Sequence, residues 1–297
     1  MSVLLIDGSN YMARGFHAVK GLSTADGFPT NAIKGFLSIV AADIKQLKPT
    51  HIVVAFDEKG KKNWRSVLYP EYKQSKARVA AREKIVREGN TLSPQYAPLL
   101  AILKAAGLCV CAIPGEEADD IIGTLAVDFS AQGEDVVIAS SDKDFAQLVT
   151  KKIRLMNQRK FIGERGVREK FGVAPSMIVE YLGLVGDGVD NIPGVQNIGP
   201  KTAAKLLNEH GSLKAVVAHR ESLSSSMCNN IESHRKKFKW TLPLLTIKTD
   251  MDLGVSLEDC TAGRFKKNRL KRLCLELELK QAYLELSASL REVYGDD

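Results

Sequence analysis

Short apolar runs that stop at acids punctuate the first half of the chain and limit what it can fold into. Val3 to Ile6 ends at Asp7-Gly8, and His51 to Phe56 ends at Asp57. Leu108 to Ile113 leads through Pro114-Gly115 to Glu116, Glu117, Asp119 and Asp120, while Val136 to Ala139 leads through Ser140-Ser141 to Asp142 and Asp144. Continuous apolar runs this short predict strands buried on both faces, as in a parallel sheet. Between them, Ala32 to Lys48, Tyr96 to Ala106 and Asp119 to Gln132 carry helical patterns. This alternation predicts an α/β domain with a mostly parallel central sheet and flanking helices.

In such sheets ligands bind outside the carboxyl ends of the strands, where all four runs carry acid. One acid after a strand is commonplace as a turn former or helix N-cap. Four in succession predict convergence, and converging carboxylates repel one another unless cations neutralise them. An oxygen-only donor set favours Mg²⁺ or Mn²⁺ over zinc. More carboxylates gather here than one such ion needs, so two or more neighbouring ions are expected. Paired ions about 3.5 to 4 Å apart activate water and stabilise the leaving oxygen in phosphodiester cleavage. A nuclease is the leading class.

The charge distribution points the same way. The 297 residues carry a net +7, and Lys59 to Arg87 alone holds ten basic residues against Glu71 and Glu83. That segment also contains Trp64, Tyr69 and Tyr72, side chains able to stack on unpaired bases. Its Ala- and Arg-rich part, Lys76 to Glu88, has few apolar anchors and reads as a helix weakly attached to the core. A hydrophobic fraction of 44% with 26% charged residues excludes disorder and collagen-like repeats. The start reaches an acid after six residues and fails as a secretory signal, and no apolar run approaches the roughly 18 residues of a membrane span. Cytoplasmic placement without a membrane is expected. The cysteines at 109, 111, 228, 260 and 274 show no zinc-ligand spacing and read as buried thiols.

Beyond the sheet, with Lys151 to Lys170 as the seam, Met177 to Gly211 predicts a helix ending near Gly186. Asp187 and Asp190 follow, then a Gly-, Asn- and Pro-rich loop and a helix from Pro200 or Lys201 to His210. Asp187 and Asp190 alone fit turn formation. Gly194, Gly199, Lys201 and Thr202 imitate a phosphate loop, but Pro200 interrupts it and no strand precedes it. The helix start can instead present backbone N–H groups, Lys201 and Lys205 to a DNA phosphate. The basic run Arg264 to Arg272 is a secondary DNA-contact candidate that reads more simply as a solvated helix terminus.

In combination these residues resemble the 5′-nuclease family: the amino-terminal 5′-to-3′ exonuclease domain of bacterial DNA polymerase I and the free-standing flap endonucleases of bacteriophages. The resemblance spans about residues 2 to 290 and rests on seven ordered segments. These are LLIDGSNYMARGFHA, THIVVAFDEKG, YPEYKQ, GEEADDIIGTLA, SSDKDFAQLV, GLVGDGVDNIPGVQNIGPKTAAKLL and TIKTDMDL. It implies a PIN-like catalytic domain over 1–170 with a helical arch at about 59–95. A helical module over 171–297 would follow, holding a helix–three-turn–helix at about 177–211, with the C-terminal helices packing back on the body.

Matching positions imply a first metal cluster of Asp7, Asp57, Glu117 and Asp119, with Asp120 adjacent and Asp142 shared, and a second of Asp142, Asp144, Asp187 and Asp190. The resemblance also implies catalytic roles for Asp119 and Asp142. Carbonyls of Leu184, Val185, Pro193, Val195 and Ile198 would hold potassium. Arg65, Tyr72, Lys73 and Arg78 match basic and aromatic positions around the arch; with Lys76, Arg82, Lys201 and Lys205 they make the implied DNA-contact set. Lys73 first, and Arg78, would steady charge at the scissile phosphate. The sequence departs from the polymerase pattern in its longer Lys76 to Asn90 stretch and in Lys61-Lys62-Asn63 before Trp64, closer to the phage enzymes.

The expected activity is metal-dependent 5′-to-3′ exonuclease and 5′-flap endonuclease action in replication or repair, by a monomer, on DNA with free 5′ ends or flaps. RNA primer strands stay open as substrates, and one nuclease unit implies no polymerase or proofreading activity. A non-catalytic DNA binder would lack motif acids, all of which are present. A phosphatase would carry a second acid two residues after Asp7, where Ser9 stands.

Overall fold

The computed structural model of the chain describes residues 2–58, 62–76, 78–80, 83, 92–263 and 265–295. β1 (Ser2–Asp7) is followed by α1 (Gly8–Ala18), α2 (Asn31–Leu47), β2 (His51–Ala55), α3 (Trp64–Leu68), α4 (Ser93–Ala105), β3 (Cys109–Cys111), α5 (Ala118–Ala131) and β4 (Asp135–Ala139). Then come β5 (Ile153–Asn157) and β6 (Lys160–Ile162). The strands form one sheet in the order β3-β2-β1-β4-β5-β6, parallel except for β6, which pairs antiparallel with β5. The stretch read as a seam therefore carries two strands and α6 (Glu164–Phe171).

Register sets the acids side by side. Asp7 pairs with Ala55, two residues before Asp57, and Ile6 pairs with Ala139, three before Asp142. The chain leaves β1 toward β2 on one side and enters β4 on the other, so β1 and β4 border the crevice where such sheets bind ligands. Alternation along each strand splits the core. Leu4, Ile6, Ile52 and Val54 face α1, α2 and α4, whereas Val3, Leu5, Val53 and Ile138 face α5 and the helical module. α1 and α2 meet at Gly15 and Gly35, where a Cβ on Gly35 would overlap the Gly15 backbone. Gln95, fully buried, reaches from α4 to accept from Ala32 N (2.9 Å) and Ile33 N (3.2 Å), satisfying donors that the helix start leaves unpaired.

The helical module comprises α7 (Ile178–Val185), α8 (Pro200–His210), α9 (Leu213–Ala218), α10 (Ser225–His234) and α11 (Phe238–Leu245). From α11 the chain runs along α5, where Lys248 N donates to Asp120 Oδ1 at 2.9 Å. It ends in α12 (Lys267–Glu276) and α13 (Lys280–Tyr294), which pack on the α2 and α4 side of the sheet. Among the described residues no helix is long and apolar enough to cross a membrane.

Candidate metal centre and nucleic-acid interface

Asp7 closes β1 and caps α1. Its Oδ1 accepts from Asn10 N (2.9 Å) and its Oδ2 from Ser140 Oγ (2.8 Å), which ties the ends of β1 and β4 together. Asp57 caps α5 from the neighbouring strand, accepting from Ala118 N at 2.9 Å. Asp119 lies in the first turn of α5, and Asp142 follows β4 and accepts from Asp144 N at 2.9 Å. Burial pushes the Asp7 carboxyl up to about 6, with Asp57 and Asp142 adding repulsion. Burial, then Asp7 and Asp142, drives Asp119 well above the usual carboxylate range.

A second neighbourhood shares Asp142. Burial first, then Asp142 and Asp187, raises Asp144 to about 8, and Asp190 also bears on it. Asp144 Oδ1 is buried without a hydrogen-bond partner. Asp187 is buried in the turn after α7, accepting from Val189 N (2.8 Å) and pairing with Lys143 Nζ (2.9 Å). Asp190 accepts from Arg78 Nη1 (2.9 Å), and the Tyr72 hydroxyl lies between Asp190 (3.0 Å) and Glu117 (3.1 Å), with one proton for the two.

Among the described residues no three His, Cys, Asp or Glu side chains are already gathered as a ligand cage. Lysine and arginine cations occupy several of the carboxylates instead. The donor chemistry nevertheless fits hard divalent ions: the donors are oxygens, one buried carboxylate oxygen lacks a partner, and three acids are held above their ordinary range by burial and one another. The fit is best for Asp7, Asp57, Asp119 and Asp142 on one side and Asp142, Asp144, Asp187 and Asp190 on the other.

Three expectations need correction, and a fourth, Glu117, carries a condition. Asp120 is fully buried, and both its oxygens are taken by Arg65 (2.7 and 2.8 Å), Trp64 Nε1 (3.2 Å) and Lys248 N, so it is the counter-ion of Arg65 and not a metal ligand. Arg65 is 3% exposed and also donates to the Leu244 and Thr246 carbonyls (2.9 and 2.8 Å), pinning α3 to the helical module and leaving nothing to offer DNA. Tyr72 is buried, so its ring is not a stacking platform. Glu117 accepts from Arg65 Nη1 (2.9 Å), Asn63 Nδ2 (2.9 Å) and Lys73 Nζ (2.6 Å), with the one Tyr72 hydroxyl proton (3.1 Å) shared with Asp190; it ligates an ion most readily once Lys73 leaves.

Lys73 is the donor best placed to leave. Burial works against its ammonium, but Glu117, Asp190 and Asp119 outweigh that and hold its pKa above the ordinary lysine value. Lys76, Lys201 and Lys205 are exposed, the last two a turn apart on α8, and Arg78 is half-buried against Asp190. Arg82 lies outside the described residues, as does most of the arch beyond Lys76. Of the implied potassium donors, the Leu184 and Val195 carbonyls already accept from Val195 N (2.8 Å) and Ile198 N (3.1 Å), each keeping a second lone pair. Lys143, Asn63 and Ser140 were not singled out by sequence; only their position beside motif acids marks them.

Carboxylates at the switch point of a parallel sheet, with basic residues on one side and a helical module on the other, define a metal-dependent nuclease architecture. Residues 2–172 match the 5′-3′ exonuclease N-terminal resolvase-like domain and residues 173–268 the 5′-3′ exonuclease C-terminal SAM fold, so the chain belongs to the 5′-3′ exonuclease family. It is 36% identical over 294 residues to a 5′-3′ exonuclease of Aquifex aeolicus, covering 98% of this chain and 97% of that protein. It is 37% identical to DNA polymerase I of Pseudomonas aeruginosa over 98% of this chain but only 32% of the polymerase.

Among solved structures, a bacteriophage T5 5′-exonuclease with bound divalent zinc aligns over 100% of both chains at 20% identity and TM-score 0.67. A T5 flap endonuclease in a pseudo-enzyme-product complex with DNA and metal ions aligns over 98% of this chain and 100% of its own, at 19% identity and TM-score 0.68. At these identities the structures establish the shared fold.

Proposed function

We propose that the protein is a metal-dependent, structure-specific 5′ nuclease that hydrolyses phosphodiester bonds in DNA with free 5′ ends or 5′ flaps. Two carboxylate neighbourhoods sharing Asp142, with Lys73 at their border, carry this reading. Asp7, Asp57, Asp119 and Asp142 would hold one ion, joined by Glu117 once Lys73 leaves it, and Asp142, Asp144, Asp187 and Asp190 the other. Mg²⁺ is the preferred ion, with Mn²⁺ able to replace it. When bound, the ions supply charge neutralisation among the carboxylates and Lewis acidity at the scissile phosphate.

The chain's own residues supply the rest. Lys73, released from Glu117, brings a fixed positive charge to the phosphate oxygen that gains charge as the bond breaks. Arg78 can exchange Asp190 for the same phosphate. Lys201, Lys205 and the N-terminal amides of α8 hold a duplex phosphate, and the Leu184, Val185, Pro193, Val195 and Ile198 carbonyls would hold potassium, which would add positive charge on that side of the loop. Lys76 tracks the unpaired strand. The proposal includes action as a monomer in the cytosol, with RNA in the 5′ strand accepted as well as DNA.

The test is a 5′-flap duplex, labelled at either end, incubated with Mg²⁺ and compared with EDTA and with Asp119→Ala. Cleavage confined to the Mg²⁺ reaction of the unmodified protein supports the assignment. Cleavage surviving both controls would remove it.

A further inference from the structure

Asp190 and Asn191 belong to the turn between α7 and α8, yet their contacts run outward to the base of the arch. The Asp190 carbonyl accepts from Lys73 N at 2.9 Å, and Asn191 Nδ2 donates to the Glu71 carbonyl at 2.9 Å. Lys73 and Asn191 both take left-handed backbone conformations, φ 58 and 60. Asparagine tolerates that region, whereas lysine enters it only where its surroundings hold it there.

The two sides of the clasp are unequally built. On the module side, Asp187 and Ile192 exchange backbone hydrogen bonds at 2.8 and 2.7 Å, and Asp187 Oδ1 also accepts from Val189 N and Asp190 N. Gly186 and Gly194 touch so closely that neither has room for a Cβ. Around Glu71–Lys73, the backbone bonds within the arch base are Tyr72 N to Tyr69 O (2.9 Å) and Gln74 N to Glu71 O (3.0 Å). The rigid turn is thus the template and the arch base the part being shaped.

We propose that Asn191 is a positioning residue for Lys73. Its amide and the Asp190 carbonyl hold the Glu71–Lys73 turn in the left-handed shape that delivers the Lys73 ammonium to the carboxylates. The inference rests on the catalytic role given to Lys73 above.

Asn191→Gly removes the amide while keeping left-handed freedom, and Asn191→Asp keeps the size but turns the donor into an acceptor. With Mg²⁺ and a 5′ flap, each variant should lower kcat by at least about tenfold with KM within about twofold, as expected for misplacing one catalytic group. Lys73→Ala combined with Asn191→Gly should be no slower than Lys73→Ala alone. Independently of turnover, hydrogen exchange in EDTA should accelerate in peptides covering residues 69–76 in both variants, with flap affinity unchanged. Wild-type kcat with unchanged exchange would overturn the proposal, as would a double variant slower by the full Asn191→Gly factor. If the unmodified protein fails to cut the flap, the functional reading falls, while the exchange result still decides whether the clasp exists.

Discussion

Replacing Arg65 with methionine separates a structural arginine from a DNA contact. Arg65 is 3% exposed, and Asp120, which it pairs through two bonds at 2.7 and 2.8 Å, is fully buried. Methionine fills the aliphatic space but leaves the Asp120 carboxylate without its counter-ion and the Leu244 and Thr246 carbonyls without their donor. Breaking a buried pair by removing one partner costs about 3 to 5 kcal/mol. At about 2 °C per kcal/mol for a chain of this size, Tm should drop by about 6 to 10 °C.

The loss has a defined pH dependence. Burial opposes the Asp120 charge, but Arg65 outweighs it and holds this carboxyl below its ordinary 3.8, so the pair contributes fully above that value and is lost as pH falls through the depressed one. In Arg65→Met the unpaired, buried Asp120 takes up a proton more readily, so the Tm deficit should shrink between about pH 8 and pH 5. Thermal unfolding in EDTA measures the deficit, and fluorescence anisotropy with a labelled flap measures binding. A Tm within about 2 °C of the unmodified protein, together with a tenfold or larger loss of flap affinity, would refute the structural role.

Other outcomes follow from the same geometry. Asp7 and Asp144 sit at about 6 and about 8 against 3.8 in the unfolded chain, so the metal-free fold binds the extra protons and loses stability as pH rises from about 4 to 8. Mg²⁺ should reverse this with a stabilisation that grows with pH; a gain independent of pH in calorimetry contradicts it. Lys73→Ala should lower kcat by about 10²- to 10³-fold, read from single-turnover flap cleavage, with a smaller Tm loss than Arg65→Met because Glu117 keeps Arg65 and Asn63. Lys201→Ala and Lys205→Ala should each reduce the slope of log affinity against log salt by about 1, and an unchanged slope removes that residue from the phosphate contacts. Gln95→Ala should cost about 2 kcal/mol in urea unfolding, because it leaves two α2 amides unpaired in the core.

The acids at the ends of β1, β2 and β4 were legible because each apolar run stops abruptly, and parallel pairing then forces the stops onto one edge of the sheet. β5 and β6 were not. Ile153–Asn157 carries an exposed arginine in mid-strand, and three-residue β6 is too short to show a period. The basic segment Lys59 to Arg87 was visible as charge, but charge alone does not say which way a side chain points. Arg65 turns inward because its partners include carbonyls at Leu244 and Thr246, which only the tertiary fold brings near. Tyr72 and Asp120 were misread for the same reason. Asn191 carried a sequence signal only as a turn former, and its reach to Glu71 depends on how the helical module meets the arch base.

The central claim is that carboxylates sharing Asp142 hold two divalent ions beside Lys73. Anomalous diffraction from Mn²⁺-containing crystals grown with a 5′-flap substrate tests it most directly. The account predicts two peaks about 3.5 to 4 Å apart. One should lie among Asp7, Asp57, Asp119 and Asp142 and the other among Asp142, Asp144, Asp187 and Asp190, with Lys73 Nζ turned from Glu117 to the phosphate. A single peak, or peaks that leave Asp142 without a bound ion, would contradict it.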